Sequence, residues 1–310
     1  MSKHFLESAY EKDKTTSRWI DESYIVNIVG ICFFWVFCAY YSGELVAAIL
    51  QTLGVGTLTR QMISDAVPFA IVLGWLAIAL PKMHHRSLLT LVNAESKLNL
   101  KRIGQGFGVW FVMMLVWLGV GLWTEPESYS LTFNPATWSA LLGLAIVLVP
   151  IQTSAEELFF RGYVLQGLRL MTRNRLVLMM VIGLLFSIPH WGNPEMERGA
   201  FIYGALNYFV WGVFATAIAL KDNGLELSLG VHAANNLFLY LFLTSPDSVV
   251  IVPSMFAVYT DGIDARLSLF GTLLDAVIFY AIFFGGISRP ELNPTPTTGA
   301  ICDRDEVGRS

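Results

Sequence analysis

The chain has 310 residues, of which 55% are hydrophobic and only 14% are charged, and its formal net charge is -4 at pH 7. Soluble globular domains carry roughly 25% charged residues, so this composition excludes a water-soluble protein folded around one core. The small net charge and the lack of a basic block also exclude nucleic acid as a partner.

Apolar runs recur along almost the whole chain, and most of them reach the roughly 17 to 25 residues that a membrane span needs. Lipid cannot satisfy backbone polar groups, and the runs do not alternate as barrel strands do, so we expect helices. The predicted spans are residues 24–50, 66–80, 106–123, 138–171, 176–191, 200–220, 225–243 and 269–284. The sequence therefore predicts an all-α, polytopic membrane helix bundle with about eight transmembrane helices.

The Lys and Arg residues between the spans indicate the orientation of the bundle. When alternate connections are assigned to opposite sides, sixteen Lys and Arg residues fall on one side and three on the other, with Arg161 inside the membrane. Cytoplasmic connections carry the excess of positive charge. We therefore expect both termini in the cytoplasm, and a multi-pass protein of the prokaryotic cytoplasmic (inner) membrane in contact with lipid.

The interior of the fourth predicted span contains the ionisable residues Glu156, Glu157 and Arg161. Such groups cost several kcal/mol in lipid unless they are paired or hydrated, so they indicate a functional site. On a helix Glu157 and Arg161 share one face and can pair, whereas Glu156 points about 100° away. The alternative is that these charges lie at the cytoplasmic membrane boundary.

His190, four residues after Phe186, lies about as far after Arg173 as Glu156 lies before it. If the chain turns near Arg173, the rise of about 1.5 Å per residue puts Glu156 and His190 at the same depth, roughly 25 Å from the turn. The alternative is an interfacial histidine beside Trp191.

The seventh predicted span contains His232 and Asn236, four residues apart on one helical face, so both side chains can act toward one point. The rise per residue puts them roughly 14 to 20 Å from the cytoplasmic end of the span. Alternatively, the pair forms only interhelical hydrogen bonds, as Asn and His often do in membrane helices.

The patterns Glu-Glu-x-x-x-Arg, Phe-x-x-x-His and His-x-x-x-Asn occur in this order on successive spans. Together they resemble the three motifs of the CAAX-protease and bacteriocin-processing (CPBP, Abi) family of intramembrane endopeptidases, which includes the type II CAAX prenyl proteases. The resemblance extends over residues 138–243. It implies hydrolysis of a peptide bond in a membrane-associated protein or peptide substrate, which in part of the family is prenylated.

The resemblance also implies roles for the matching residues. Glu156 would be the general base that activates a water molecule, with help from His190, because peptide hydrolysis needs an activated water. His232 and Asn236 would donate hydrogen bonds to the oxyanion. The supporting residues would be Glu157, Arg161 and Phe186, the first two as an ion pair.

Metal dependence is open at this point. Glu156, His190 and His232 are also a ligand set for catalytic zinc, and members of the family are often labelled metalloproteases. We expect a mechanism without a cofactor, because the chain has no His-Glu-x-x-His motif. A divalent metal such as zinc, if it binds, is expected at these three residues.

Two other classes of function are also open. A transporter or channel would use buried polar residues along a path, for which Glu44, Asn207 and Asp275 are further candidates. A non-catalytic scaffold or immunity factor would bind a partner through the same polar cavity. We interpret Glu44 and Asp275 first as interfacial or interhelical residues.

These predictions divide the chain into five segments. They are a cytoplasmic N-terminal segment (1–23), the first three transmembrane helices (24–137), a protease-like catalytic core (138–243), an extracytoplasmic loop with the last helix (244–288) and a disordered cytoplasmic tail (289–310).

Overall fold

A computed structural model describes residues 5–6, 28, 30, 41–196, 201–245, 251–258 and 265–285. Most of the predicted N-terminal segment, most of the first predicted span before residue 41 and all of the predicted tail 289–310 lie outside the described residues. The location of the two termini in the cytoplasm therefore stays a prediction.

Helices make up most of the described chain. They are α1 (41–52), α2 (Thr57–Met83), α3 (Leu100–Thr124), α4 (Pro135–Glu157), α5 (Leu165–Met171), α6 (Arg175–Ser187), α7 (Phe201–Asp222), α8 (Glu226–Phe242) and α9 (Ala265–Phe284). A π-helical segment, Leu158–Val164, joins α4 to α5, and a 3-10 segment, Ile188–Gly192, continues α6.

Six helical segments of the described chain are long and apolar enough to cross a membrane. They contain α2, α3, α4 with α5, α6, α7 and α9. The seventh predicted span is α8, which has 17 residues and lies at the lower end of spanning length. The prediction of an all-α membrane helix bundle is confirmed.

The second span is longer than predicted. It runs from Thr57 to Met83 instead of from 66 to 80, and it includes Pro68 and Pro81. Proline inside a helix is tolerated in a membrane because neighbouring helices satisfy the freed backbone groups. The early part of α2 was missed because Arg60 and Asp65 interrupt the apolar run.

The turn between the fourth and fifth predicted spans lies where the sequence predicts it. α5 ends at Met171 and α6 begins at Arg175. Asn174 caps α6, because its side chain accepts hydrogen bonds from the backbone N–H groups of Leu176 and Val177. The hairpin on which the depth argument for Glu156 and His190 depends is therefore present.

A small β-sheet was not predicted. Its strands are β1 (Tyr129–Leu131), β2 (Leu243–Thr244) and β3 (Phe256–Val258), in the order β1-β3-β2. β3 pairs antiparallel with β1, with Ser130 opposite Ala257, and parallel with β2. The sheet therefore joins the α3–α4 connection to the chain that follows α8.

Small residues let the helices around α8 approach closely. A Cβ atom on Gly106 of α3 would meet the backbone of Leu227, and one on Gly230 of α8 would meet the backbone of Ile103. Close approach through small residues is the usual way in which membrane helices pack. α8 packs most extensively against α3 and also against α4, so it is held from both sides.

Candidate active site

The two adjacent glutamates lie at the end of α4 and are buried in the bundle. Glu156 is 6% exposed, and Glu157 and Arg161 are fully buried. Arg161 Nη1 donates a hydrogen bond of 3.0 Å to Glu157 Oε1, which is the predicted ion pair. Their burial inside the helix bundle argues against side chains exposed to water at a membrane boundary.

The segment after the glutamates, Leu158–Val164, is π-helical, and all seven of its residues are buried. A π-helical turn accommodates an extra residue and is often found at functional sites. Arg161 lies within this segment. The carboxylates are thus positioned by regular α-helix, and their cationic partner by the wider turn.

His232 lies between the two carboxylates. Its Nδ1 atom is 2.9 Å from Glu157 Oε1, and its Nε2 atom is 3.3 Å from Glu156 Oε2. The ring is 4% exposed. α8 therefore brings one imidazole into contact with both glutamates of α4. The sequence had predicted that Glu156 and Glu157 point about 100° apart on the helix, and His232 contacts both because its two ring nitrogens face different carboxylates.

The charges of this cluster balance only with one additional proton. Two carboxylates face one guanidinium, and a net charge is costly in a buried site. The proton can reside on His232 Nε2 opposite an ionised Glu156, or on Glu156 Oε2 opposite a neutral ring. In both states the proton lies between His232 Nε2 and Glu156 Oε2, which are 3.3 Å apart.

His190 has a defined tautomer. Its Nδ1 atom is 2.7 Å from the backbone carbonyl oxygen of Phe186. A carbonyl oxygen only accepts hydrogen bonds, so Nδ1 carries the hydrogen and Nε2 is the basic nitrogen of the neutral ring. The imidazole stacks on Tyr208, with ring centroids 4.1 Å apart. Both contacts fix the direction of Nε2.

Phe186 connects the elements that carry the three motifs. Its ring centroid lies 4.7 Å from that of His190 and 6.1 Å from that of His232. Arg161 Cζ lies 4.2 Å from the same centroid, in cation–π geometry. Within the described chain Arg161 Nε and Nη2 form no hydrogen bond, so the aromatic face is the neighbour that compensates their burial. His190 thus reaches the cluster through Phe186.

Asn236 lies one helical turn beyond His232 and is half-buried. Its Oδ1 atom accepts a hydrogen bond of 3.1 Å from Asn235 Nδ2. Asn235 Oδ1 in turn accepts one of 3.3 Å from Trp110 Nε1 on α3. Asn236 therefore shares the face of His232, as predicted, and its Oδ1 atom is directed to a neighbour on α8.

The same part of the chain matches a known family. Residues 135–238 match the family model described as Rce1-like, type II CAAX prenyl endopeptidase. This confirms the resemblance that the three motifs carry, and Glu156, His190, His232 and Asn236 all lie inside this Rce1-like region.

A relative extends beyond the Rce1-like region. The uncharacterized protein YyaK of Bacillus subtilis (strain 168) is 42% identical over 192 residues, which cover 61% of this chain and 63% of YyaK. The matched part thus spans less than two thirds of that relative. No solved structure matches the chain.

The directions of the side chains of Glu156, His190 and His232 bear on whether they can bind zinc. Within the described chain, no group of three or more His, Cys, Asp or Glu side chains is arranged to hold a metal ion. His232 directs both ring nitrogens to glutamate oxygens, and His190 directs Nδ1 to a backbone carbonyl. Glu156, His190 and His232 therefore do not fit a zinc site in this arrangement.

The polar residues named for a transport path lie outside the cluster of Glu156, Glu157, Arg161 and His232. Trp117 Nε1 of α3 donates a hydrogen bond of 2.7 Å to Asp275 Oδ1 of α9. Asn207 Nδ2 of α7 donates one of 3.3 Å to Ser268 Oγ of α9. Glu44 on α1 is exposed. Asp275 and Asn207 thus join helices, which agrees with the interhelical interpretation of Asp275.

Two polar residues near the site were not predicted. Tyr240 lies one turn beyond Asn236 on α8, within electrostatic range of Glu156 and of Asp65 on α2. The spacing of His232, Asn236 and Tyr240, each four residues apart, was the available signal. Asp65 was missed because it precedes the predicted start of its span.

Proposed function

We propose that this protein is an intramembrane endopeptidase that hydrolyses a peptide bond of a membrane-associated protein or peptide. The observation that carries the proposal is the contact of His232 with both Glu156 and Glu157, buried within membrane helices and inside the Rce1-like region. A carboxylate that shares one proton with an imidazole is suited to take a proton from water and return it.

The proposed reaction begins with water near Glu156. Glu156 takes one proton while the water oxygen forms a bond to the scissile carbonyl carbon, whose oxygen becomes the oxyanion. Glu156 then gives this proton to the leaving amine as the carbon–nitrogen bond breaks. His190 Nε2, whose direction is fixed by Phe186 and Tyr208, accepts a hydrogen bond from the attacking water.

The oxyanion needs donors near the scissile carbonyl. The amide Nδ2 group of Asn236 is one candidate, on the same face of α8 as His232. His232 Nε2 becomes the second donor once Glu156 carries the proton from water, because a neutral carboxyl group attracts the imidazolium less. His232 therefore has a double role, as proton partner of Glu156 and as oxyanion donor.

Glu157, Arg161 and Phe186 support this arrangement. Glu157 holds His232 Nδ1 at 2.9 Å and is itself neutralised by Arg161. Arg161 lies against Phe186, which contacts both histidines. This set fixes the ring orientation of His232 and takes no part in bond making.

The substrate we propose is a lipidated peptide segment at the surface of the prokaryotic cytoplasmic membrane. The family description names a prenyl endopeptidase, and a buried site within lipid-embedded helices suits a substrate that carries its own lipid anchor. Prenylated peptides are therefore the first class of substrate to test.

The test compares the purified wild-type protein with Glu156→Gln on a library of membrane and lipidated peptides, with products identified by mass spectrometry. We expect Glu156→Gln to lower cleavage by about 10²-fold to 10⁴-fold, the usual contribution of a general base. Glu157→Gln is expected to lower the yield of folded protein while the folded fraction still cleaves. The opposite pattern of the two variants would refute the division of roles.

The control is Asp275→Asn, which changes an intramembrane acid outside the cluster and keeps the acceptor for Trp117. It should cleave like the wild type. Ion flux in liposomes without peptide cleavage would show a transporter instead, and a cellular phenotype unchanged by Glu156→Ala would show a scaffold.

A further inference from the structure

Phe5, near the start of the chain, is buried in the main core of the bundle. It is fully buried, Leu6 is 3% exposed, and both belong to the same apolar cluster as Leu91, Val92 and Leu225. The cluster also includes residues that flank the glutamates. A residue more than a hundred positions away in sequence is therefore packed beside the elements that carry the site.

The backbone of Phe5 joins the two helical stretches that hold the site residues. Its N–H donates a hydrogen bond of 2.9 Å to Asn223 Oδ1, and its carbonyl oxygen accepts one of 3.3 Å from Gln166 Nε2. Gln166 lies on α5, which continues the helical stretch of Glu156. Asn223 lies in the turn directly before α8, which carries His232.

The α2–α3 connection is held to the same two elements. Arg86 Nη2 donates a hydrogen bond of 2.5 Å to Gln166 Oε1, and Gln166 Nε2 donates another of 2.9 Å to the carbonyl oxygen of Thr90. The N–H of Leu225 donates one of 2.8 Å to the carbonyl oxygen of Val92. Arg86 and Gln166 are both buried, so these bonds are shielded from water.

We propose that Phe5, Gln166 and Asn223 form an N-terminal tie, which sets the distance between α5 and the start of α8 and so holds His232 against the two glutamates. α6 and α7 separate the two stretches in sequence, and Phe5 bonds to both at once. The effect of the N-terminal tie on catalysis rests on the proposed function. Phe5 lies outside the Rce1-like region, so the tie gives the N-terminal part of the chain a role in positioning the site.

The reason to expect an effect on turnover is the precision that the site requires. Catalytic groups must be held within about 0.5 Å of the productive geometry, and a misplacement of about 1 Å costs roughly 10²-fold in rate. His232 is 2.9 and 3.3 Å from its two partners. A small shift of α8 relative to α4 is therefore enough to weaken both contacts.

Asn223 allows a clean test because its backbone φ is +59°. Glycine adopts this conformation without strain, so Asn223→Gly removes the side-chain acceptor for Phe5 and keeps the turn. Asn223→Asp keeps an Oδ1 acceptor. We expect Asn223→Gly to lower kcat by about tenfold, less than a full 1 Å misplacement, with KM unchanged, and Asn223→Asp to restore kcat.

The matched control is Asn134→Gly. Asn134 caps α4 through hydrogen bonds to the N–H groups of Ala136 and Thr137, far along the helix from the glutamates. It removes an asparagine side chain and should lower the thermal unfolding temperature slightly, without touching the tie. Its kcat should equal that of the wild type, which separates positioning from a general loss of stability.

Hydrogen exchange read by mass spectrometry tests the tie without any cleavage assay. In the wild type, the backbone amide of Phe5 and the peptide spanning the start of α8 through His232 should both exchange slowly. Asn223→Gly should make both exchange faster, while Asn223→Asp and Asn134→Gly should not.

Unchanged exchange in Asn223→Gly would overturn the tie whether or not the protein cleaves peptides. Faster exchange with an unchanged kcat would overturn its role in positioning. Faster exchange in Asn223→Gly, together with a wild type that cleaves none of the peptides, would confirm the tie as a structural link and reject the proposed protease function and the catalytic consequence drawn from it.

Discussion

Asp275 and the pair Glu156–Glu157 are acidic side chains of membrane-spanning helices, and their environments differ. Asp275 of α9 accepts a hydrogen bond of 2.7 Å from Trp117 of α3. Glu156 and Glu157 share His232, and Glu157 also pairs with Arg161. One interhelical hydrogen bond is an ordinary way to hold a polar group in a membrane protein. The glutamate cluster contains more ionisable groups than helix packing needs, as expected of the proposed catalytic site.

The largest change in stability is expected at the cation of the glutamate cluster. Arg161→Met leaves Glu157 buried without its counter-charge, and removal of one partner of a buried ion pair costs about 3–5 kcal/mol. Thermal unfolding in detergent should show a large drop in Tm. The double variant Glu157→Gln/Arg161→Met should recover most of the loss, because both charges are then removed.

Arg173→Met is the matched control, since Arg173 lies in the exposed turn between α5 and α6. Its Tm should stay close to that of the wild type. A single Arg161→Met variant that unfolds at the wild-type temperature would show that the pair is dispensable, and would remove the main distinction between the cluster and Asp275.

The next effect concerns the aromatic link between the histidines. Phe186→Leu keeps an apolar side chain but removes the ring face beside Arg161 and the ring contact with His190. A desolvated cation–π contact is worth about 2 kcal/mol. We expect kcat to fall by about tenfold while the protein stays folded. Phe107→Leu, which alters an aromatic pair on α3, should leave kcat unchanged.

A smaller effect is expected at His84, which follows α2 outside the membrane span and is hydrogen-bonded to Tyr163 at 2.8 Å. Burial, with Arg86 and His85 nearby, lowers the pKa of His84 from 6.5 to about 4. The unfolded chain therefore binds a proton at a higher pH than the folded one. Stability from this group is complete above pH 6.5 and is lost as the pH falls toward 4.

The loss at His84 should be on the order of 1 kcal/mol, because its half-buried ring is partly screened by solvent. Unfolding measured between pH 7 and 4 should be less sensitive to acid in His84→Gln than in the wild type. The exposed neighbour variant His85→Gln should keep most of the wild-type acid sensitivity, because burial is the larger cause of the low pKa of His84. Equal profiles for all three proteins would contradict the prediction.

The smallest effect is expected at the structural acid. Asp275→Asn keeps an oxygen acceptor for Trp117, so the unfolding free energy should change by no more than about 0.6 kcal/mol, the average for an interhelical hydrogen bond. A much larger change, measured by unfolding in detergent, would show that the charge of Asp275 contributes to stability. Asp275 would then resemble the glutamate cluster more than a simple hydrogen-bonded contact.

Local geometry made part of the site predictable from the sequence. Glu157 and Arg161 pair because residues four apart share a helical face, and the three motifs indicated the family whose model matches residues 135–238. The bridging position of His232 was not predictable. It depends on the packing of α8 against α4, on the ring orientation and on which nitrogen meets which carboxylate.

Other features depend on contacts between distant segments that hydropathy does not encode. Phe5 precedes any predicted span, so its burial between Gln166 and Asn223 has no signal in the apolar pattern. The strand Phe256–Val258 is too short to be recognised by alternation. The catalytic roles of Glu156, His190, His232 and Asn236 stay predictions, and the experiments above test them.

The π-helical segment Leu158–Val164 sets the rotation of α5, which carries Gln166, relative to α4, which carries the glutamates. One residue more or less in a helix rotates everything after it by about 100°. Deletion of a single residue here would leave the glutamates in place but turn Gln166 away from Phe5 and Arg86. At the apolar positions of this segment, we therefore expect a change in length to cost more than a substitution by a side chain of similar size.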